Sequence, residues 1–304
     1  MNSLVEKRKI FLEKLEKRYK KFERFNKYAG RGFINKIKKL LISPNIYIPY
    51  IFSRFYLFRN YNFVTKLFWG KEIVFNIKDA SAAMLHSSGL LLGEYHLSKF
   101  FIKNLKENDV FYDIGANYGF YTYLALEFCQ EVHSFEPLAD VFEKLRYNLK
   151  EKKDSFLNNF AFSNKSGETF LYLSISSDVS TINKDTIGIT PYKYRDKINV
   201  KTFTLDKYLE SHSRPTIIKI DVEGAENMVI DGGKEFFKNN SPIIAMEVWT
   251  GGNGRKISMR SVEMLRRLGF QSHYINFDGG IEKIDGDLSE VVRSCGDNFI
   301  FLKR

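Results

Sequence analysis

The stretch Asn108–Phe120, with the sequence NDVFYDIGANYGF, limits the fold of this chain more than any other feature. Val110–Ile114 is a short run of apolar and aromatic residues, which is typical of a buried parallel strand. Gly115 and Gly119 then bracket a tight turn, and an apolar helix is predicted over residues 120–128. Glycines allow the backbone to approach a ligand, and the first turn of a helix has free N–H groups. The stretch therefore predicts a nucleotide-binding unit of strand, turn and helix.

Asp113 distinguishes this unit from the common dinucleotide-binding turn. The Gly-x-Gly-x-x-Gly fingerprint of that turn requires a glycine at position 113, where this chain has an aspartate. A carboxylate at the tip of the strand repels a pyrophosphate but suits a cationic ligand. S-adenosylmethionine has an ammonium and a sulfonium and no phosphate, so this residue favours it over NAD.

Strands and helices alternate from residue 109 onward, which is typical of a parallel α/β sheet. Strands are predicted near residues 110–114, 131–136, 156–161, 216–221 and 242–248. Helices are predicted over residues 119–129, 138–151, 224–238 and 258–268. The pattern predicts an open sheet with helices on its faces.

Three further β-regions are predicted outside this alternation. Short β-segments within residues 167–204 form an insertion around a polar loop. Phe270–Phe277 and Asn298–Leu302 are joined without a helix, so they are expected to form an antiparallel pair at the edge of the sheet. Upstream of the alternating region, Lys66–Trp69 and Glu72–Ile77 predict a β-hairpin.

The positive charge is concentrated at the N-terminus. Residues 1–70 contain 17 Lys and Arg and four Asp and Glu, a net charge of +13, whereas the remaining residues contain 30 and 32, a net charge of −2. The folded body is therefore expected to be nearly neutral. The overall basicity is weak evidence for nucleic-acid binding by that body, and nucleic acid is not an expected partner.

The cysteines and the N-terminal residues predict a cytoplasmic protein. Two cysteines, Cys129 and Cys295, make neither a disulfide framework nor a zinc site, which fits a reducing compartment. Residues 1–30 are too charged for the apolar region of a signal peptide. Residues 40–58 are apolar and aromatic, but two prolines and an arginine interrupt them, whereas a spanning helix needs about 20 uninterrupted apolar residues.

Residues 4–26 predict one long helix. Leu4, Phe11, Leu15, Phe22 and Phe25 fall on alternating spacings of three and four, with Arg8 and Arg18 in the intermediate positions. Such a helix packs on the body or on a second copy of the chain, lies on an anionic membrane surface, or binds nucleic acid, and the sequence leaves these interpretations open. We expect residues 1–65 to form a basic extension and residues 66–304 to form the main domain.

The residues at the carboxyl ends of the strands are the candidates for ligand binding, because a ligand lies there in open α/β sheets. Glu136 follows the second strand, 23 residues after Asp113, where an acidic side chain can accept hydrogen bonds from both ribose hydroxyls of an adenosine. Ala161, at the end of the third strand, is a candidate to flank the adenine ring. Glu94, in the predicted helical segment Leu90–Leu105, is a further candidate for cofactor binding.

A second group of charged residues lies on the fourth and fifth strands. Lys219, Asp221 and Glu223 alternate and therefore share one face while the strand lasts, and a buried strand does not carry three charges unless they are paired or face a site. The alternative is a structural Lys219–Asp221 pair with Glu223 as a helix cap. Glu247, at the end of the fifth strand, is predicted to face the same cleft. His273, in the sixth strand, is a further candidate.

Three motifs, in order, resemble the FkbM family of S-adenosylmethionine-dependent methyltransferases. They are FYDIGANYG from Phe111 to Gly119, SFEP from Ser134 to Pro137 and IKIDVEGAE from Ile218 to Glu226. The segments 161–168, 200–209 and 242–247 are also similar. The resemblance covers roughly residues 90–250 and leaves residues 1–65 outside.

The resemblance implies a class I methyltransferase fold, with a seven-stranded, mostly parallel, Rossmann-like sheet whose last strand is antiparallel. It implies O-methylation, commonly of sugar hydroxyls. The cofactor contacts that it implies are Asp113, Gly115, Asn117 and Glu136, to which the turn adds Gly119. It also implies that Asp221 and Glu223 lie near the methyl-transfer centre.

We therefore expect an S-adenosylmethionine-dependent O-methyltransferase that acts on a sugar hydroxyl of a glycan or glycolipid. A sugar hydroxyl is a poor nucleophile, so Asp221 or Glu223 is predicted to act as a general base. The alternative role of these carboxylates is to bind a divalent metal ion that orients two vicinal hydroxyls. Lys219, Glu247 and His273 are candidates for substrate contact.

Other functions remain as alternatives at this point. They are methylation of another small-molecule or natural-product hydroxyl, an NAD-dependent oxidoreductase, and a non-enzymatic adaptor that uses the basic N-terminus. Methylation of base amino groups would require Asn/Asp-Pro-Pro-Tyr/Phe after the fourth strand, where this chain has Asp221-Val-Glu-Gly. If the acceptor is a lipid-linked glycan, the extension is expected to hold the enzyme peripherally at the inner face of the membrane. A homo-oligomer through the N-terminal helix is a further expectation.

Overall fold

The computed structural model describes residues 2–26, 62–76, 88–152, 155–174, 179–190, 193–249, 254–288 and 297–303, with a few single positions between these ranges. The chain divides into two compact units, residues 1–95 and 96–304. Their boundary lies later in the chain than the predicted one after residue 65. Cys295 and most of the apolar run at 40–58 lie outside the described residues.

The longer described segments of the N-terminal unit form one long helix and one hairpin. Helix α1 extends over Asn2–Asn26, in agreement with the prediction for residues 4–26. Strands β1 (Asn62–Lys66) and β2 (Glu72–Asn76) pair in antiparallel orientation. The first strand ends before Leu67–Trp69, which was predicted to be a strand but forms the buried turn of the hairpin.

The apolar face of α1 packs within its own unit. Phe11 and Leu15 are buried, and the Phe11 ring centroid lies 6.0 Å from that of Trp69 and 6.3 Å from that of Phe68. These apolar side chains are therefore covered. The homo-oligomer through this helix stays a prediction.

The second unit contains the remaining strands, which form two sheets. In chain order they are β3 (Val110–Ile114), β4 (Glu131–Phe135), β5 (Ser155–Asn158), β6 (Ala161–Phe162), β7 (Gly167–Ser174), β8 (Tyr194–Phe203), β9 (Ile217–Ile220), β10 (Ile243–Glu247), β11 (Phe270–Ile275), β12 (Ile281–Lys283) and β13 (Asn298–Lys303). Eight of them form the main sheet in the order β12-β11-β13-β10-β9-β3-β4-β5. Strands β10, β9, β3, β4 and β5 are parallel. Strand β13 is antiparallel to both β10 and β11.

The helices of this unit agree with the predicted alternation, although most are shorter. In chain order, and beginning at the end of the N-terminal unit, they are α2 (Tyr95–Asn104), α3 (Phe120–Ala125), α4 (Ala139–Asn148), α5 (Leu205–Tyr208), α6 (Glu226–Gly232), α7 (Lys234–Asn239) and α8 (Arg255–Arg267). Helices α6 and α7 replace the single helix predicted over residues 224–238.

The predicted α/β fold with a mostly parallel sheet is confirmed, and so is the antiparallel pairing of its last two predicted strands. The main sheet has eight strands instead of seven, because β12 pairs with β11 at the edge. This strand has three residues, two of which are exposed charged side chains. It therefore has no apolar pattern from which a strand is predicted.

The strand predicted over residues 156–161 is divided between two sheets. Strand β5 ends at Asn158 in the main sheet, whereas Ala161 and Phe162 pair with β8. The Asn159 side chain donates hydrogen bonds to the backbone oxygens of Glu136 and Pro137, at 2.8 and 3.1 Å. These bonds stabilise a turn where continuous apolar spacing suggested one strand.

The predicted insertion is a three-stranded sheet in the order β6-β8-β7. Strands β7 and β8 form a long antiparallel pair, and the short 3-10 helix Lys184–Thr186 lies in their connection. We call residues 167–203 the inserted sheet. Within the part of the chain that the structure describes, no helix has the length and apolar character needed to cross a membrane.

Candidate active site

The turn after β3 passes very close to the loop after β9. Gly115 has a φ of 82°, and an added Cβ would lie 1.8 Å from the backbone oxygen of Asp221. Gly119 has a φ of 91°, and an added Cβ would lie 2.5 Å from Cδ1 of Leu145. Both positions require glycine for backbone reasons, before any ligand is considered. The turn and the Asp221 loop therefore lie next to each other.

Asn117 places a polar acceptor inside this turn. Its backbone is left-handed, with a φ of 49°, and its N–H donates to Oε2 of Glu136 at 3.0 Å. Its side-chain Oδ1 is shielded from solvent and has no hydrogen-bond partner among the described residues. Buried polar atoms normally have a partner, so this oxygen suits a ligand that donates a hydrogen bond.

Glu136 is buried beside the turn. Its Oε2 accepts from the Asn117 N–H, and its Oε1 accepts from the Leu138 N–H at 2.9 Å. Burial raises the pKa of the Glu136 carboxyl to about 7, against the effect of these two donors. A carboxylate oxygen can accept two hydrogen bonds, so each oxygen retains capacity for a ribose hydroxyl. Glu136 is therefore not a solvated loop carboxylate.

Lys219 joins the turn to the loop after β9. Its side chain is 4% exposed, and Nζ lies 3.1 Å from Oδ2 of Asp221 and 3.6 Å from Oδ1 of Asp113. Nζ also donates to the backbone oxygen of Gly115 at 3.5 Å. Asp113 is fully buried and accepts a hydrogen bond from Oγ1 of Thr122 at 2.7 Å. Burial raises the pKa of Asp113, and the Lys219 ammonium opposes that rise.

This internal pair differs from the sequence-based expectation. Asp113 was predicted to face a cationic ligand, and Lys219 was a candidate for substrate contact. The structure buries both side chains and neutralises one with the other, so the cation next to Asp113 is part of the protein. The structural Lys219–Asp221 pair, which the sequence left as an alternative, is present.

Three carboxylates meet beyond the ends of β9 and β10. Asp221, Glu223 and Glu247 each offer one oxygen, and these atoms lie within 4.8 Å of one another. All three residues are partly exposed, so a ligand can reach them. Strand β9 ends at Ile220 and Glu223 has a φ of 55°. Glu223 therefore reaches the cluster through a left-handed turn, not through the strand alternation that was predicted.

Glu226 is a site residue that was not among the predicted ones. It is 2% exposed, and its Oε1 accepts from the N–H of Gly224 at 3.0 Å and from that of Val222 at 3.4 Å. Burial raises the pKa of the Glu226 carboxyl to about 7. Glu226, and not Glu223, thus holds the start of α6. An acidic residue in the first turn of a predicted helix was the available signal.

The remaining predicted residues are Ala161, His273 and Glu94. Ala161 packs in the core of the inserted sheet, and its adenine contact stays a prediction. His273 has its Nδ1 3.0 Å from the backbone oxygen of Gln271, and β13 separates its strand from β10, a spacing of about 10 Å. Glu94 ends the 3-10 helix Leu92–Glu94 of the N-terminal unit, and its cofactor contact stays a prediction.

The sheet and its glycine turn define an α/β protein of the class whose ligands lie at the carboxyl ends of the parallel strands. The chain belongs to the FkbM methyltransferase family, because the Methyltransferase FkbM domain matches residues 113–272. This is a family of methyltransferases. This membership favours methyl transfer over the dinucleotide-dependent oxidoreductase, and it leaves the adaptor role of the basic N-terminus untested.

Several characterised proteins are similar to this chain. The hexuronic acid methyltransferase AglP of Haloferax volcanii is 28% identical over 145 residues, which are 47% of this chain and 57% of that protein. The chain thus spans little more than half of that relative. A crystal structure of an FkbM methyltransferase from Methylobacillus flagellatus is 12% identical, with a TM-score of 0.45, over 72% of this chain and 52% of that one. Aeropyrum pernix fibrillarin with bound S-adenosyl-L-methionine is 11% identical, with a TM-score of 0.38, over 68% and 73%.

The residues of the turn fit S-adenosylmethionine. Asn117 offers the buried acceptor without a partner, and Glu136 has acceptor capacity on both oxygens. When bound, the cofactor supplies a methyl group on a sulfonium. Asn117 and Glu136 are thus the residues that would hold its polar groups.

The affinity for S-adenosylhomocysteine is expected to rise from pH 6 to pH 8 by roughly threefold to tenfold. With a pKa of about 7, Glu136 is mostly protonated at the lower pH and ionised at the higher one, and only the ionised form accepts hydroxyl donors on both oxygens. Calorimetric titration at both pH values measures this change. A Glu136→Gln variant should bind more weakly at pH 8 and lose the pH dependence. An equal pH dependence in the variant would assign the effect to another group.

Proposed function

We propose that this methyltransferase acts on a sugar hydroxyl of a glycan or glycolipid. The observation that carries the proposal is the cluster of Asp221, Glu223 and Glu247 beside the glycine turn. A hydroxyl of low acidity needs a base next to the methyl donor, and the cluster supplies carboxylates there. The similarity to AglP, a hexuronic acid methyltransferase, supports a sugar acceptor.

In the proposed reaction, Asp221 or Glu223 takes the proton of the acceptor hydroxyl. That oxygen would receive the methyl group that bound S-adenosylmethionine supplies, and S-adenosylhomocysteine would be the other product. The protein has to align oxygen, methyl and sulfur. Lys219 contributes to this alignment, because its ammonium contacts both Asp221 and the backbone oxygen of Gly115.

The same cluster suits a divalent cation as an alternative to a general base. Hard cations prefer carboxylate oxygens, and the oxygens of Asp221, Glu223 and Glu247 lie within 4.8 Å of one another. Such an ion would orient two vicinal hydroxyls and polarise the attacking one. The acceptor class is the same in both versions.

The test is transfer of an isotopically labelled methyl group from S-adenosylmethionine to a panel of cell-derived glycans, read by mass spectrometry. Labelled glycans support the proposal. If label is found only in a matched panel of non-carbohydrate hydroxyl compounds, the acceptor is not a sugar and the proposal is wrong. Each reaction is repeated with EDTA and then with added Mg²⁺. Activity that is lost and restored supports the metal version, and unchanged activity supports the general base.

We further propose that α1 holds the enzyme at an anionic membrane surface on the cytoplasmic side. Its exposed lysines are Lys9, Lys14, Lys17, Lys20 and Lys21. Because the apolar residues Phe11 and Leu15 are packed inside the unit, this association is electrostatic. Each lysine near an anionic surface contributes about 1 kcal/mol, and salt screens the attraction.

Flotation with phosphatidylserine vesicles is expected to recover the protein at low salt and to lose it at high salt. Replacement of Lys9, Lys14, Lys17 and Lys21 by glutamine should abolish recovery. The matched control replaces four exposed lysines of the second unit, namely Lys165, Lys184, Lys193 and Lys201. Binding that is insensitive to salt, or equally reduced in the control, would remove α1 as the anchor.

A further inference from the structure

The peptide groups of Gly224 are held by buried side chains from two different parts of the fold. The N–H donates to Oε1 of Glu226 at 3.0 Å, and the C=O accepts from Nδ2 of Asn183 at 2.6 Å. Asn183 lies 41 residues earlier in the chain, in the inserted sheet. Gly224 directly follows Glu223, so these two hydrogen bonds hold the backbone that positions the Glu223 carboxylate.

The Asn183 side chain is itself held in one orientation. It is 7% exposed, and its Oδ1 accepts from the N–H of Asp185 at 3.0 Å, which caps the 3-10 helix Lys184–Thr186. The backbone N–H of Asn183 donates to Oγ1 of Thr181 at 3.0 Å. With the amide oxygen engaged in the cap, the amide nitrogen is the atom that points to Gly224.

The loop needs such support because of its conformation. Glu223 has a φ of 55° and Gly224 has a φ of 88°. A residue with a side chain is strained in the left-handed region and persists there only where its surroundings hold it. The inserted sheet also packs on the loop, since a Cβ at Gly224 would lie 2.6 Å from Cγ2 of the buried Thr186. On another side, the same Cβ would lie 3.1 Å from the ring of Trp249, which follows β10.

We propose that Asn183 is a positioning residue, through which the inserted sheet holds the Glu223–Gly224 turn in its active geometry. The effect on turnover rests on the proposed function, whereas the effect on the loop does not. Asn183 contacts neither the glycine turn nor Glu136, so cofactor binding is expected to be independent of it.

Amide hydrogen exchange of the full-length protein tests the inference. In Asn183→Ala, exchange of the peptide that contains residues 221–228 is expected to be about tenfold faster or more, with S-adenosylhomocysteine affinity within about threefold of wild type. Asn199→Ala is the matched control, because Asn199 is exposed on β8 of the same sheet. Unchanged exchange in Asn183→Ala, or an equal change in the control, overturns the proposal.

A second variant isolates the hydrogen bond from packing and folding. Asn183→Asp keeps the size and the acceptor of the cap but cannot donate to the Gly224 oxygen, so it should reproduce the faster exchange. Faster exchange in Asn183→Ala but not in Asn183→Asp would show that the hydrogen bond from Asn183 to the Gly224 oxygen does not hold the loop.

Turnover is measured on a glycan that the wild type methylates. We expect kcat to fall by about 10-fold to 100-fold in both Asn183 variants, with the KM for S-adenosylmethionine within about threefold. Faster exchange with unchanged kcat would overturn the catalytic part of the proposal. If the panel contains no acceptor, the proposed function fails, and hydrogen exchange still decides whether Asn183 positions the loop.

Discussion

Replacement of Asp221 by asparagine is expected to lower kcat by about 10²-fold to 10⁴-fold, the usual contribution of a positioned general base. Asparagine keeps the volume of the side chain but cannot take a proton from the acceptor hydroxyl. The affinity for S-adenosylhomocysteine should stay within about threefold of wild type, because Asn117 and Glu136, which are expected to hold the cofactor, are unchanged. Turnover is measured by kinetics on a glycan that the wild-type enzyme methylates. The affinity for S-adenosylhomocysteine is measured by calorimetry.

The matched control is Asp231→Asn, which removes an exposed carboxylate from the same segment of the chain and should leave kcat unchanged. Glu223→Gln is measured in parallel, and the variant with the larger loss identifies the base. If both variants retain wild-type turnover, the carboxylate cluster is not the catalytic group. If Asp221→Asn also loses cofactor affinity, its role lies in the structure of the adjoining turn.

Lys219→Met is expected to lower the free energy of unfolding by about 3–5 kcal/mol. The substitution removes the ammonium that lies 3.6 Å from the fully buried Asp113 and 3.1 Å from Asp221, and methionine fills a similar volume. Removal of one partner from a buried pair is costly, because the remaining charge is left without compensation. Urea denaturation measures the change.

The double variant Asp113→Asn with Lys219→Met should recover at least about 1 kcal/mol relative to the sum of the single variants. This coupling is the signature of an ion pair, since lost packing alone is not restored by a change at Asp113. Lys201→Met, which removes an exposed lysine of β8, is the control and should change stability by no more than about 0.5 kcal/mol. An equal loss at both lysines would contradict the assigned role of Lys219.

The parallel part of the fold could be predicted because its signal is local. Val110–Ile114 is a strand with the predicted bounds, since a strand buried on both faces is rich in apolar residues, and four of its five residues are apolar or aromatic. The antiparallel β11–β13 pair was also predicted, from the lack of a helix between its strands. Strand β12 was not predicted, because a short edge strand has little apolar pattern. The division of residues 156–161 was not predicted either, because the hydrogen bonds of an asparagine side chain stabilise the turn there and leave no apolar pattern.

The candidate site was predicted unevenly for a similar reason. Residue type and position at the strand ends correctly brought Asp221 and Glu247 together, because neighbouring parallel strands end at the same edge of a sheet. The orientation of the charges was not predictable in this way. Asp113 was expected to face a ligand, but it is neutralised within the protein by Lys219, on the neighbouring strand.

The sequence alone determined the class of the sheet, the glycine turn, the family resemblance and the acidic character of the site. These properties depend on residue types at short spacings, which the chain carries whatever its tertiary contacts. The tertiary structure decided which charges are internal and which are accessible, and it showed that Asn183 holds the Glu223–Gly224 turn from 41 residues away. Burial and hydrogen bonding arise between distant segments, so the strand–turn–helix unit from Asn108 to Phe120 specified where a ligand binds but not how its carboxylate is used.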